Sequence, residues 1–412
     1  MRVLIFSEMF PKLNSPSSGI FIIKRIEQLL AFGKDIEVIF APISVSDNLL
    51  ISLIKKIYGL NPIKLPENVR IDSRSYKVIK IRISLLDRYR MLKGDSRAWL
   101  KYAERMKEAL ERNFHISDFD IIHAHRAFPE GYTAMLLSEE YGKPYIVTAH
   151  GGEIHSINPK LKRYVINALE KSSKAIFVSR KLLQQARKLG YSGDNAVVIP
   201  NGVDTNLFKP MDKIKIRKEL GIYKENYKYI GFVGNLIPVK RADKLPEIFR
   251  QIKKLYPNVF FIVVGDGYLR KRIEGETKDL DILFTGRVKP EEVPYYMNAM
   301  DVLILPSRNE GWPCVVLEAQ ACGIPVVGSD VGGIPEAIGE GGVVVRDGPD
   351  FERRFGEVAV KMLENLLSPS YLVQKAIHYD WRVTVKKELR MYNDILNIRG
   401  EIDSEVGDRN SY

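Results

Sequence analysis

A chain of 412 residues, 45% hydrophobic and 28% charged, is too long for one ordinary core and too apolar to be disordered, so two globular domains are expected. Its two cysteines, Cys314 and Cys322, give neither a disulfide framework nor metal-ligand spacing, and no apolar run approaches the roughly 20 residues that cross a bilayer. The net charge of +12 points to anionic partners, a nucleotide diphosphate or an anionic membrane face; nucleic acid is set aside because no zinc-finger or RNA-binding signature accompanies the charge.

The start, Met1-Arg2-Val3-Leu4-Ile5-Phe6-Ser7, reads directly as a strand with no charged segment before a long apolar core. No signal peptide is therefore expected, and the cysteine usage fits a reducing cytoplasm. Asn14 to Phe21 reads as a loop opening a helix, with Ser17 or Ser18 as its cap and Gly19 permitting close backbone approach. Short buried strands are expected at Val3–Phe6, Ile36–Ala41, Asp120–His123, Tyr145–Ala149, Ala175–Val178 and Val197–Ile199. The segments between them are long enough for helical crossovers, so the sheet should be parallel.

Residues 44 to 112 break this rhythm. Leu50, Leu53, Ile54, Ile57 and Tyr58 fall at helical spacing beside Lys55 and Lys56, and Lys77, Lys80, Arg82, Arg88, Arg90, Lys93 and Arg97 follow among apolar residues. Two readings stand: an amphipathic helix packed on the domain with a solvated basic face, or a patch that meets an anionic membrane or a lipid-phosphate acceptor. His123 and His125 share one face of a strand, but no third metal ligand is evident. His150 ends a strand beside Gly151 and Gly152, a position that favours a site over a structural role. Pro200-Asn201-Gly202-Val203-Asp204 marks a chain reversal and the natural boundary between halves.

The second half repeats the alternation, with strands expected at Tyr229–Val233, Phe260–Val264, Ile282–Thr285, Val302–Leu305, Val326–Gly328 and Val343–Val345. The first ends in Gly234-Asn235-Leu236-Ile237-Pro238-Val239-Lys240-Arg241, where a lysine in the loop before a helix can pair with phosphate as a point charge. Gly265-Asp266-Gly267, Gly286-Arg287-Val288 and Val331-Gly332-Gly333-Ile334-Pro335-Glu336 read as tight strand-to-helix turns. Between them lies Arg308-Asn309-Glu310-Gly311-Trp312-Pro313-Cys314-Val315-Val316-Leu317-Glu318-Ala319. Pro313 suits the first helical position, which puts Glu310 in the loop and Glu318 inside the helix. In an open α/β sheet that loop lies at the carboxyl ends of the strands, where ligands bind. Gly311 clears space beside Glu310, and the helix start suits a hydroxyl-rich or anionic ligand. Tyr379-Asp380-Trp381 precedes a helix-like run to Leu396, and residues 400–412 form a polar tail expected to be mobile.

Glu310 and Glu318, seven residues apart in between and followed by Cys322-Gly323-Ile324-Pro325-Val326-Val327, resemble the Glu-x7-Glu signature of glycosyltransferase family 4 (GT4). The His150-Gly151-Gly152 loop, the Pro-Asn-Gly-Val-Asp linker and the Gly-Asn-Leu-x-x-x-Lys loop resemble family motifs in family order. The resemblance implies the α/β GT-B fold, two Rossmann-like domains facing each other across a cleft. Residues 1–203 would form the acceptor-side domain, with a helix near 382–398 packing back onto it, and residues 204–381 the nucleotide-sugar domain. It implies a retaining, metal-independent hexosyltransferase that needs no cofactor beyond its donor. A hexose or HexNAc would pass from a nucleotide sugar, UDP favoured over GDP, to a glycan or polyprenyl-phosphate-linked acceptor in cell-surface glycan synthesis, at the cytoplasmic membrane face.

By the same resemblance, Glu310 contacts donor-sugar hydroxyls, Glu318 holds the ribose and His150 points toward the transferred sugar. Lys240 holds the diphosphate together with the Gly19 loop. Arg287 and Val288 lie along the base, Gly311 and Trp312 belong to the donor loop, and His125 and Arg126 are acceptor-side. Asn235 stands where the family usually has Arg, and Arg241 where it usually has Gly, so charge on the leaving group would rest more heavily on Lys240, with Arg241 as a compensating cation. Two rival classes are a GT-B nucleotide-sugar epimerase, against which the Glu spacing and the His150 loop argue, and a non-catalytic sugar-nucleotide-binding subunit, motivated by Asn235.

Overall fold

The protein is described from a computed structural model, which covers residues 1–12, 18–32, 37–46, 66–71 and 73–397. The expected helix around Leu50–Tyr58, with Lys55 and Lys56, the cap residue Ser17 and the tail from 400 lie outside the described residues. The chain forms two compact units, Met1–Pro200 with Trp381–Tyr412, and Asn201–Asp380.

The first unit is built on β1 (Arg2–Ser7), β2 (Glu37–Ser46), β3 (Asn68–Ile71), β4 (Arg74–Lys77), β5 (Ile79–Arg82), β6 (Ile121–His125), β7 (Tyr145–Ala149), β8 (Lys174–Phe177) and β9 (Ala196–Val198). Seven of these make one parallel sheet in the order β5-β2-β1-β6-β7-β8-β9. The reason is visible in the strands themselves: β6 and β7 are buried at every position, as runs covered by helices on both faces must be. The chain leaves β1 toward β2 on one side and resumes at β6 on the other. That reversal opens a crevice at the carboxyl ends of β1 and β6.

Four helices of this unit matter below: α1 (Ile20–Phe32), α2 (Leu85–Leu92), α3 (Ser96–Asn113) and, from the end of the chain, Trp381–Leu396. The last packs Val385, Leu389 and Tyr392 into one core with Ile22 and Ile26 of α1 and Val3 and Ile5 of β1. The sequence reading missed the antiparallel hairpin β3-β4 and the edge strand β5. Each is only four residues long and carries at most two buried residues among exposed polar or basic ones, so each resembles a polar loop as much as a strand.

The second unit carries β10 (Lys228–Val233), β11 (Val259–Val264), β12 (Ile282–Gly286), β13 (Val302–Leu305), β14 (Val326–Ser329) and β15 (Gly342–Val345) as a six-stranded sheet in the order β12-β11-β10-β13-β14-β15. All five pairings are parallel. Its core joins Phe232, Phe249, Phe261, Ile304 and Phe355. Here the switch point falls between β10 and β13, the strands that precede the Lys240 and Glu310 loops. The helices α4 (Leu245–Leu255) and α5 (Cys314–Ala321) follow those loops, and the C-terminal helix Trp381–Leu396 is then α6. Pro313 sits one position earlier than expected, as the N-cap of α5 with extended backbone, and the helix begins at Cys314.

Candidate functional site

The loops after β10 and β13 are tied together. Lys240 Nζ donates to Glu310 Oε1 at 2.5 Å, and Ser307 Oγ donates to the same oxygen at 2.9 Å. The Arg308 guanidinium grips both oxygens of Asp243 at 2.5 and 2.8 Å, while the Arg308 N–H donates to the Val239 carbonyl at 2.8 Å. The Glu310 carbonyl accepts from the Gly333 N–H at 2.9 Å. Gly332 has φ +52°, and a Cβ there would lie 2.0 Å from that carbonyl oxygen, so only glycine allows the β14 turn to close on the Glu310 loop.

Glu318 lies in the second turn of α5, half-buried, with no hydrogen-bond or ion-pair partner among the described residues. Burial pushes its carboxyl up to about 7. A half-buried carboxylate lacking local donors can accept hydrogen bonds from ligand hydroxyls. Beside it, burial, reinforced by Glu318 and Glu310, pushes the Cys314 thiol up to about 12, so it is an inert neutral wall. Trp312 is buried against Tyr379 at 5.7 Å between ring centroids, its indole N–H without a hydrogen-bond partner among the described residues. Gly311, Arg287 and Val288 lie on the loops at the carboxyl ends of β13 and β12, Arg287 being exposed and Val288 half-buried.

Two predicted residues stand apart from this pair. The Asn235 side chain is exposed. Arg241 is buried, donates to Asp347 Oδ2 at 2.6 Å and lies over the Phe351 ring at 3.9 Å. Its charge is thus spent on Asp347 and is not shared with Lys240, contrary to the compensating role expected of it. Its backbone is left-handed, φ +53°, which is the physical reason glycine suits this position.

In the first unit, His125 and His150 come together: Nδ1 of His125 lies 2.9 Å from Nε2 of His150. His123 stacks on His125 at 4.6 Å. The alternation of a strand thus makes the two histidines stacked neighbours. No group of three His, Cys, Asp or Glu able to hold a metal occurs among the described residues. Beneath them runs a fully buried chain that sequence reading missed. Arg25 donates to Glu388 Oε2 at 2.7 Å, and the Tyr392 hydroxyl donates to Glu388 Oε1 at 2.6 Å. The Tyr392 oxygen must therefore accept from His123 Nδ1–H at 2.6 Å, which leaves His123 Nε2 to accept from the Thr148 hydroxyl at 2.8 Å. Glu388 and Tyr392 are one helical turn apart on α6; that spacing was the available signal, but it names no partner on another strand.

Burial, with the neighbouring histidines adding to it, holds His125 well below the ordinary imidazole range. Burial, aided by Arg25 and His123, does the same for His150, so the pair shares one proton between neutral rings. His125 Nε2 and His150 Nδ1 are buried without hydrogen-bond partners among the described residues. A buried orphan acceptor is tolerated better than an orphan N–H. The inner atom, His125 Nε2, is then the acceptor, and His150 presents Nδ1–H.

His150 lines a hollow of about 490 Å³ with Met9, Phe21, Trp99, Arg126 and Phe128. Arg126 donates to Glu8 at 2.6 Å and to both oxygens of Glu130 at 3.0 Å. Glu8 and Glu130 were also missed, although Arg126 and Glu130 stand four residues apart. Gly19 has φ +62°, and a Cβ there would fall 2.5–2.6 Å from the backbone of Met9 and Phe10. The close approach it permits is to the chain's own β1 loop.

Comparison with known proteins bears on both units. The family model described as Glycosyltransferase Family 4 matches residues 69–207, and that described as Glycosyl transferases group 1 matches residues 212–358. The TuaC glycosyltransferase ascribed to teichuronic acid biosynthesis in Bacillus subtilis (strain 168) is 29% identical over 349 residues, 82% of this chain and 84% of its own. A D-inositol 3-phosphate glycosyltransferase of Acidothermus cellulolyticus is 29% identical over 311 residues, 68% of each chain. The crystal structure of Anabaena HepE in complex with UDP superposes with a TM-score of 0.70 at 18% identity, over 96% of this chain and 100% of that one, and so shares the GT-B fold. With both halves matched in order, and the Lys240–Glu310 and Glu318 elements at the switch point of the second sheet, the chain belongs to glycosyltransferase family 4, a family of retaining hexosyltransferases.

Proposed function

We propose that this glycosyltransferase moves a hexose or N-acetylhexosamine from UDP to a hydroxyl of a glycan or lipid-linked acceptor at the cytoplasmic face of a membrane. The observation that carries the donor half is the Lys240–Glu310 pair at the β10/β13 switch point, with Glu318 half-buried and unpartnered one helix further on. In this reading Lys240 neutralises the departing diphosphate, aided by the first turn of α5. Glu310, fixed by Lys240 and Ser307, receives donor-sugar hydroxyls as charge builds at the anomeric carbon. Glu318 accepts from the ribose. A diphosphate oxygen takes the acceptor proton, so the new bond forms on the face the nucleotide leaves. UDP is favoured because HepE, of the same fold, was solved with UDP.

The membrane half rests on α2, which is inside out. Its one buried residue is Asp87, which pairs with Lys101 of α3, whereas Leu86, Tyr89 and Leu92 are 56, 58 and 82% exposed. Arg90 and Lys93 are exposed beside them, and Lys80 and Arg82 on the edge strand β5. Exposed leucines ringed by cations suit an anionic bilayer surface.

A thermal-shift screen of UDP- and GDP-sugars tests the donor. A ligand at a hundred times its dissociation constant adds about 2.7 kcal/mol of stability. Stabilisation by GDP-sugars alone would overturn the choice of base. Conversion of the donor to an epimer without acceptor would favour the epimerase instead.

A further inference from the structure

We propose that the hollow at the carboxyl ends of β1, β6 and β7 receives the acceptor as an uncharged sugar ring, and that any phosphate or carboxylate on the acceptor stays outside it. This rests on the reading of the first unit as the acceptor side of the transferase.

The argument begins with charge. The cation lining the hollow is Arg126, and its guanidinium is already spent on two carboxylates of its own chain, Glu8 and Glu130. Tyr102 holds Glu8 in place from behind through a hydrogen bond from its hydroxyl. A phosphate needs an open guanidinium fork. To reach Arg126 it would have to displace Glu8, and Glu130, fully buried, would still stand beside it. The nearby Lys12, whose pKa burial lowers, faces both the Glu8 carboxylate and the Arg126 guanidinium.

The backbone donors of the turn after β7 are engaged too. Glu153, which lines the hollow, accepts through its two carboxylate oxygens from the N–H groups of His150 and Gly151 at 2.8 and 3.2 Å. An incoming phosphate therefore meets carboxylates at both places. Among the described residues, no lining cation is left unengaged.

The rest of the lining suits a sugar. Trp99 is fixed by donating its indole N–H to the Met91 carbonyl at 3.1 Å, and Phe128 meets it edge-on at 6.2 Å. With Phe21 these rings offer flat apolar walls against which the C–H face of a pyranose packs. The His150 Nδ1 atom, buried and without a hydrogen-bond partner among the described residues, supplies one hydrogen bond to a hydroxyl. The volume, about 490 Å³, holds one or two rings. Where the acceptor is lipid-linked, its phosphate is left at the mouth.

The test uses the full-length protein with a UDP-sugar that it hydrolyses slowly. That hydrolysis establishes the transferase reading separately; without it, the reading itself fails. Matched acceptor pairs differing by a phosphate are then compared: methyl glycosides of glucose, galactose, mannose and N-acetylglucosamine against the corresponding 6-phosphates, and inositol against inositol 3-phosphate. The neutral member of at least one pair should be used at least tenfold better, by kcat/KM, than its phosphorylated partner. Trp99→Ala should raise the KM for that acceptor at least tenfold with a smaller change in kcat, and Trp99→Phe, which keeps a ring, should recover most of it. Glu8→Gln, which frees part of Arg126, should narrow the discrimination severalfold. Equal or better use of the phosphorylated members overturns the proposal, and so does donor hydrolysis with no use of any neutral ring.

Discussion

Replacing Lys240 with alanine separates the structural and chemical parts of the donor site. In the free protein Lys240 is 25% and Glu310 12% exposed, and their charges meet at 2.5 Å. Breaking a fully buried pair costs about 3–5 kcal/mol because one charge is stranded. With Lys240 partly solvated and Ser307 still bound to Glu310, about 1–3 kcal/mol is expected here. During transfer the loss should be larger in kind. In the proposed mechanism Lys240 is the point charge on the leaving diphosphate, while Arg241 is committed to Asp347 and position 235 carries no cation. Removing one preorganised contact of this type costs about 10²–10³ in rate. Urea unfolding followed in parallel with steady-state transfer reads both. The double variant Lys240→Ala/Glu310→Gln should recover most of the stability, since no charge is left unpaired, and none of the activity. Asn235→Arg, at an exposed position, should be tolerated or tighten donor binding. A Lys240→Ala enzyme within threefold of wild-type turnover would refute the assignment.

Three further outcomes follow from the same geometry. Glu310→Gln should lower kcat more than it raises the donor KM, and Glu318→Ala should do the reverse, because the ribose changes little during transfer; identical profiles would remove the division of roles. Glu318 is protonated in the free protein up to about pH 7, well above its unfolded value, so it contributes stability below about pH 4.5 that is lost as pH rises through 7. UDP, whose hydroxyls need the carboxylate, should bind more tightly as pH rises from 6 to 8, and a calorimetric pH series in which Glu318→Gln keeps that slope would count against it. At α2, co-sedimentation with anionic vesicles should be measurable at low salt and fade at high salt. Each basic residue near the surface adds about 1 kcal/mol, and Leu86→Ser/Leu92→Ser or Arg90→Ser/Lys93→Ser should weaken binding. Protein left in the supernatant at low salt would end the membrane reading.

All twelve strands expected from apolar runs appear, because strands of a parallel sheet are apolar at most positions and such runs are visible without neighbours, even at the edge strands β9 and β15, which are less covered. The Glu310/Glu318 spacing and the Lys240 loop were legible for a similar reason: local order along one strand-loop-helix connection puts them at a carboxyl edge. Sequence alone could not show that Lys240 and Glu310, seventy residues apart, are ion-paired, since that depends on β10 lying beside β13. Nor could it show that Arg241 turns to Asp347, that Glu8 and Glu130 neutralise Arg126, or that α6 brings Glu388 and Tyr392 under His123. The basic residues from Lys77 to Arg97 carried the same ambiguity, for cations set among apolar residues do not say whether the protein or a partner covers the apolar side. Periodicity reports each element's own faces, whereas a pairing between distant charges exists only once strand order has placed their loops together.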